Sequence, residues 1–186
     1  KPDILKLAAD SGCWYVYHQI HKESGGIRDK VRMMHDFGIA VQGTILLGID
    51  SHGPDVFKRM VDFLLEIDLD LAEFTVMTPF PQTPLFDQMK KEGRLLHEDL
   101  GLYNAENVVF RPAMMTPDQL QEGYRYVWDA FYKDEPQPAK MFRLYRKLVT
   151  KGGWQPSIGA PEARPIPGQA ASGALWGGVA PGARPT

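Results

Sequence analysis

From Ile39 to Leu47 the chain is almost continuously apolar and β-branched, closed by Gly48, which is the pattern of a strand buried on both faces of a parallel sheet. The period then changes. Phe57, Met60, Val61 and Leu64 recur at helical spacing within Asp55 to Ile67, and Gly53-Pro54 just before them places a proline suited to a first helical turn. Ala72 to Met77 is a second short strand, stopped by Thr78-Pro79-Phe80-Pro81-Gln82-Thr83-Pro84 because proline cannot donate to a ladder. Strand, helix, strand in this order predict a right-handed crossover with parallel strands.

The same alternation extends back to the N-terminus. Ile4, Leu5, Leu7 and Ala8 form an amphipathic helix, with Asp3 as its predicted cap and Ser11-Gly12 as its stop. Cys13 to Ile20 then alternates with period two, Trp14, Val16, His18 and Ile20 on one face and Tyr15, Tyr17, Gln19 and His21 on the other. His18 and His21 therefore point to opposite faces and cannot share a metal, and His18 reads as a hydrogen-bonded structural residue. Ile27, Val31 and Met34 mark a further helix that ends at Phe37-Gly38, with His35 placed to favour its negative end. The predicted fold class is α/β: a partial parallel β/α barrel over residues 1–92.

Beyond Gly93 the pattern loosens. Arg94 to Asn107 is of mixed polarity, and Val108-Val109-Phe110 reads as an edge strand or a loop. Thr116-Pro117-Asp118 opens a helix carrying Leu120, Tyr124, Val127 and Phe131, extended by Trp128 and Tyr132 as packing residues. Met141, Leu144, Tyr145 and Leu148 make one more stripe, so residues 93–150 form a helical extension. From Gly152 onward there are 8 Gly and 6 Pro in 35 residues, a composition that predicts a disordered tail over residues 151–186.

Composition narrows the function classes. A chain of 186 residues, 44% hydrophobic, can bury a real core, and a formal charge of -2 does not favour nucleic acid as a partner. No apolar run approaches the roughly 18 residues of a membrane span, and no signal segment opens the chain, so a cytoplasmic protein is expected. Cys13 is the single cysteine, which excludes an internal disulfide and a cysteine-only metal site; it reads as a small buried hydrophobe. Strand ends of a parallel unit collect ligands, and here those ends are Gly48 to Pro54 and Thr78 to Pro84, both rich in turn-forming and oxygen-bearing residues.

Three segments read together, GTILLGID, TPFPQTPLFDQMKKEGRLL and NVVFRPAMMTPDQLQEGY, resemble the C-terminal half of cobalamin-binding radical SAM enzymes. The resemblance covers roughly residues 1 to 132. It implies a barrel that binds S-adenosylmethionine and a [4Fe-4S] cluster, with cobalamin possible, and radical chemistry such as methyl transfer on an unknown small-molecule substrate. It also implies that the cluster loop, CxxxCxxC, lies upstream of Lys1 in a missing N-terminal half of the barrel. The chain by itself is then expected to be inactive and to hold no metal. Departures from the family pattern are Gln82 and His21 where glycines are usual, and the short Gly25-Gly26 connection after Glu23-Ser24.

Residue by residue, the resemblance sets Glu23 and Ser24 near the ribose or amino-acid part of S-adenosylmethionine. It sets Gly43, Ile45 and Gly48 on the adenine side, with Asp50, Thr78, Pro79 and Pro81 at the rim of the same mouth. No residue is assigned as catalytic. An alternative of a different class is an inactive half-barrel remnant or interaction module that pairs its open sheet edge with another chain.

Overall fold

The computed structural model describes residues 1–150, with side chains through Arg146. In chain order the elements are α1 (Pro2–Asp10), β1 (Tyr15–Gln19), α2 (Gly25–Asp36), β2 (Ala40–Leu47), α3 (Val56–Glu66), β3 (Leu71–Val76), α4 (Pro84–Lys91), a short 3-10 turn (Leu100–Leu102), α5 (Pro117–Phe131) and α6 (Gln137–Thr150). The three strands are parallel and adjacent in the order β1-β2-β3, so each connection crosses once through a helix. Among the described residues no helix is long and apolar enough to cross a membrane. The tail, predicted above to be disordered, lies outside the described residues.

Register divides the sheet into two unlike faces. His18 pairs with Gly43 and Gly43 with Ala72, while Ile45 pairs with Phe74 and Leu47 with Val76, so these residues share one side. That side holds the core: Ile45, Leu47, Phe74 and Val76 are fully buried with Val31 of α2, Met60 and Leu64 of α3, and Leu120 and Val127 of α5. The other face carries Tyr15, Tyr17, Gln19, Gln42, Thr44, Glu73 and Thr75. There the Tyr15 hydroxyl donates to Gln42 Oε1, and Gln42 Nε2 donates to Glu73 Oε2 at 3.0 Å, making a polar ladder across all three strands. The period-two reading of β1 is thus correct in face as well as in type.

Helix α5 is held by a close approach. A Cβ at Gly123 would lie 2.2 Å from ring atoms of Phe57 on α3, so only glycine lets the two helices meet there. The capping box at its start is complete: the Thr116 hydroxyl accepts from the Gln119 amide at 3.1 Å and the Gln119 side chain accepts from the Thr116 amide at 2.8 Å. At its end Tyr132 reaches β3, donating its hydroxyl to the Ala72 carbonyl at 2.7 Å and accepting from the Ala72 amide at 3.0 Å. Trp128 packs between the rings of Phe74, Tyr124 and Tyr132, as expected of a packing residue.

Several local expectations are corrected. Helix α1 starts at Pro2 and makes no side-chain cap, which leaves Asp3 inside the first turn, where its charge favours the positive helix end. Pro54 stands before α3 rather than within it, because the helix starts at Val56, and Asp55 caps it without a side-chain hydrogen bond. Cys13 is only partly buried, its thiol 3.8 Å from the Tyr15 carbonyl. His18 Nε2 is buried without a hydrogen-bond partner among the described residues, and burial holds its pKa below the usual imidazole value. His35 is more than a helix-end charge: its Nε2 lies 2.8 Å from Asp70 Oδ2, which also accepts the Val41 amide at 2.9 Å. Val108 to Phe110 forms no strand but a single antiparallel bridge, Leu95 to Phe110, and the Val108 amide donates to Gln121 Oε1 at 3.0 Å.

Candidate functional site

Parallel strands in register deliver their carboxyl ends to one edge of the sheet. The amide of Ile20 bonds to the Thr44 carbonyl at 3.0 Å and that of Met77 to the Leu47 carbonyl at 2.8 Å, so the loops after β1, β2 and β3 leave from neighbouring points. Three of the segments singled out from sequence therefore leave the same end of the sheet: Glu23-Ser24, Gly48 to Asp50 and Thr78 to Pro81.

After β1, Ser24 is the cap of α2, its hydroxyl accepting from the Ile27 amide at 3.4 Å. Glu23 is drawn towards α3, where its Oε1 accepts from Arg59 Nε at 3.3 Å, and Arg59 also pairs with Asp55 one turn earlier. Glu23, Ser24, Arg28 and Arg59 line an open cleft of about 500 Å³ between α2 and α3. Gly25 and Gly26 are the first two residues of α2, and a Cβ at either would meet nothing within 4 Å.

After β2, Asp50 is clamped by Arg94, whose Nη1 and Nη2 donate to its two carboxylate oxygens at 3.0 and 2.5 Å. Arg94 also donates from Nε to the Arg111 carbonyl at 2.8 Å and lies over the Phe110 ring, which ties the loop to the extension. The hydrogen bond from Arg94 holds the Asp50 carboxyl below its ordinary value. In the same loop His52 is only 8% exposed, and its Nδ1 has no hydrogen-bond partner among the described residues. Burial lowers the pKa of His52 while the nearby Glu23 carboxylate acts in the opposite direction, so the ring is neutral at pH 7.

The three residues expected on the adenine side have packing reasons of their own. A Cβ at Gly43 would lie 2.7 Å from Leu69 and 2.8 Å from Ile20, on the helix side of the sheet. Ile45 is buried on that side among core side chains. Gly48 has φ +86, and its Cβ would meet Leu120 at 2.7 Å and Phe110 at 3.3 Å, so its missing side chain makes room for α5 and the extension. The residues of β2 that reach the opposite face are Ala40, Gln42, Thr44 and Leu46.

After β3, the Thr78 hydroxyl donates to the Val76 carbonyl at 3.0 Å, and Thr83 caps α4 by accepting the Phe86 amide at 3.2 Å. Pro79 and Pro81 hold the turn between them. Gln82 adopts φ +66, a conformation suited to glycine, at the position where the resembled family has one.

Among the described residues no group of three or more His, Cys, Asp or Glu is placed to hold a metal ion. With one cysteine in the whole sequence, these residues do not fit a [4Fe-4S] cluster, which needs several thiolates. Sequence reading missed His52, Arg59, Arg94 and the Tyr15–Gln42–Glu73 ladder. The ladder had a signal, since Tyr15, Tyr17 and Gln19 alternate with apolar residues; the arginines had none, being separated from their partners by 36 and 44 positions.

A family model described only as a domain of unknown function, DUF4070, matches residues 83–164. The bacteriochlorophyllide d C-12(1)-methyltransferase of Chlorobaculum tepidum is 27% identical over 147 residues, covering 72% of this chain and 32% of that protein. The hopanoid C-2 methylase of Rhodopseudomonas palustris is 32% identical over 82 residues, 44% of this chain and 16% of that protein. The anaerobic magnesium-protoporphyrin IX monomethyl ester cyclase of Cereibacter sphaeroides is 22% identical over 105 residues, 56% of this chain and 17% of that protein. The chain thus spans about a third or less of the length of these curated relatives. Taken with the ordered motifs along the strand ends, these matches support a likeness of this chain to a C-terminal part of the cobalamin-binding radical SAM enzymes.

Proposed function

We propose that the chain forms the S-adenosylmethionine-facing part of a partial barrel whose complete enzyme transfers a methyl group, with a [4Fe-4S] cluster held by cysteines outside this chain and cobalamin as a further cofactor. The observation that carries this reading is the convergence of Glu23-Ser24, Asp50 and Thr78 to Pro81 on one sheet edge, in a chain similar to two proteins named as a methyltransferase and a methylase. The S-adenosylmethionine would supply the adenosyl radical. The chain's own residues would bind and orient it: the Glu23 carboxylate and Ser24 hydroxyl accept from polar groups of the ligand, while Thr78 to Pro81 shape the rim. Asp50 serves indirectly, because Arg94 occupies both of its oxygens. Tyr15, Gln42 and Glu73 would line the barrel interior, and the small-molecule substrate is unassigned.

The test is made in the full-length, cluster-loaded protein under anaerobic conditions. Glu23→Gln should weaken S-adenosylmethionine binding by about tenfold, the size of one hydrogen bond to a charged group. Arg59→Gln breaks the same Glu23–Arg59 contact but leaves the carboxylate, so it should bind almost as wild type. Equal losses in the two variants, or a dissociation constant for Glu23→Gln within about twofold of wild type, would remove Glu23 from the site.

A further inference from the structure

The sheet face turned away from the core carries a single charge. Of the strand residues on it, Glu73 is the one that is acidic or basic. Its carboxylate is half-buried and held from one side: Gln42 Nε2 donates to Oε2 at 3.0 Å, while Oε1 has no hydrogen-bond partner and Glu73 no salt bridge among the described residues. The orientation of Gln42 is fixed. It is only 6% exposed, and because the Tyr15 hydroxyl donates to its Oε1, the Nε2 end must turn to Glu73. Burial raises the Tyr15 pKa well above the ordinary phenol value, so that hydroxyl stays protonated and stays the donor. The ladder therefore runs one way, from Tyr15 through a buried amide to a carboxylate whose charge a neutral donor leaves uncompensated.

We infer that Glu73 is the acceptor of a subsite for the primary ammonium group of a small-molecule ligand lying across this face. Charge selects the occupant: the strands offer a carboxylate here and no ammonium or guanidinium group, so a cation is complementary and an anion is not. An ammonium has three donors to place. Glu73 Oε1 takes one, and Thr44, which stands opposite Glu73 in the register, offers a hydroxyl for another. Across the same face Tyr17 is 64% exposed, its ring edge-on to Tyr15 at 5.4 Å, and supplies an aromatic surface that favours the cation and its carbon chain. A metal ion is a poorer occupant, because a single carboxylate gives too few ligands and no group of three or more His, Cys, Asp or Glu forms among the described residues. Calling the amine the substrate rests on the reading of this face as barrel interior; the subsite itself stands on the ladder.

The 186-residue chain, checked for cooperative unfolding, is titrated with n-butylammonium at constant ionic strength and followed by amide NMR. The amides of Tyr17, Thr44 and Glu73 should shift together and saturate, with a dissociation constant of about 10 mM or below. Butanol, of equal size and without the charge, should bind at least about tenfold more weakly. Glu73→Gln keeps the shape and loses the charge, so it should weaken butylammonium by about tenfold. Asp129→Asn, which removes an exposed carboxylate on α5, should leave the titration unchanged. Three results would each overturn the proposal: no saturable shift on this face up to about 100 mM, far above the expected constant; equal binding of butanol and butylammonium; or a folded Glu73→Gln that binds like wild type. The comparison of the two probes needs no variant and so decides even if Glu73→Gln does not fold. Neither cluster nor S-adenosylmethionine is present, so a negative result removes the amine subsite and leaves the Glu23 test standing.

Discussion

The two edges of the sheet are built in opposite ways. On the outer side of β3, Tyr132 occupies both the amide and the carbonyl of Ala72, and the Val76 amide donates to the Ala105 carbonyl at 2.7 Å. On the outer side of β1, the backbone groups of Tyr17 and Gln19 have no backbone partner among the described residues. An open row of this kind is a template for another strand, whereas a side-chain hydroxyl that fills a donor and an acceptor at once ends the sheet. The difference teaches a direction: the sheet is closed after β3 and receptive before β1.

Breaking the support of the closed edge should have the largest effect. Tyr132 arrives at β3 on α5, and α5 docks with Leu120 against Gly48. Gly48→Val meets both a left-handed backbone and a side chain at 2.7 Å, and should cost about 3 kcal/mol or more in urea unfolding. Such a loss would appear without any ligand present, so this variant reports the docking of α5.

Removing the plug itself comes next. Tyr132→Phe keeps the ring and leaves the Ala72 amide and carbonyl without partners, an expected loss of about 1 to 3 kcal/mol. Native-state hydrogen exchange sharpens the contrast between edges: in the wild-type chain the Ala72 and Val76 amides should exchange more slowly than those of Tyr17 and Gln19, and in the variant Ala72 should join the fast group. Fast exchange at Ala72 in the wild type would remove the distinction.

The Asp50–Arg94 clamp fastens the β2 loop to the extension on the closed side, and its contribution is set by pH. The folded-state pKa of Asp50 is lowered, first by the hydrogen bond from Arg94, so the stabilisation is present above the unfolded value near 3.8 and is lost as pH falls through the folded value. Because the Asp50 side chain is 54% exposed, solvent screening limits the effect to about 1 kcal/mol or less. Asp50→Asn should therefore be slightly less stable than wild type at pH 7, and the gap should close as the pH falls through the lowered folded-state value. A gap that widens with acid would refute the assignment.

The smallest effect belongs to Ala105, which offers its carbonyl to Val76 from a backbone at φ +65. Ala105→Gly relieves that conformation but gives the unfolded chain more freedom, so a net gain of up to about 1 kcal/mol is expected in thermal unfolding. A clear loss would mean that the Ala105 methyl packs usefully at this edge.

What the sequence by itself determined is everything carried by local period and punctuation. The alternation of Trp14, Val16, His18 and Ile20 with Tyr15, Tyr17 and Gln19 assigns faces to β1, the apolar stripe of Phe57, Met60, Val61 and Leu64 makes α3, and Thr116-Pro117-Asp118 starts α5. Each depends on residues within a turn or two of one another, where backbone geometry alone brings side chains together. The strand ends rich in Gly, Pro and Thr were legible for the same reason. What only the tertiary structure decided is which neighbour each residue meets across long separations: Asp50 with Arg94, Glu23 with Arg59, Tyr132 with Ala72. The glycines show the boundary most clearly. That Gly43 and Gly48 tolerate no side chain could be suspected from sequence, but whether the space beside them holds a ligand or a leucine depends on where Ile20, Leu69, Phe110 and Leu120 come to rest, and that is settled by packing of the whole core.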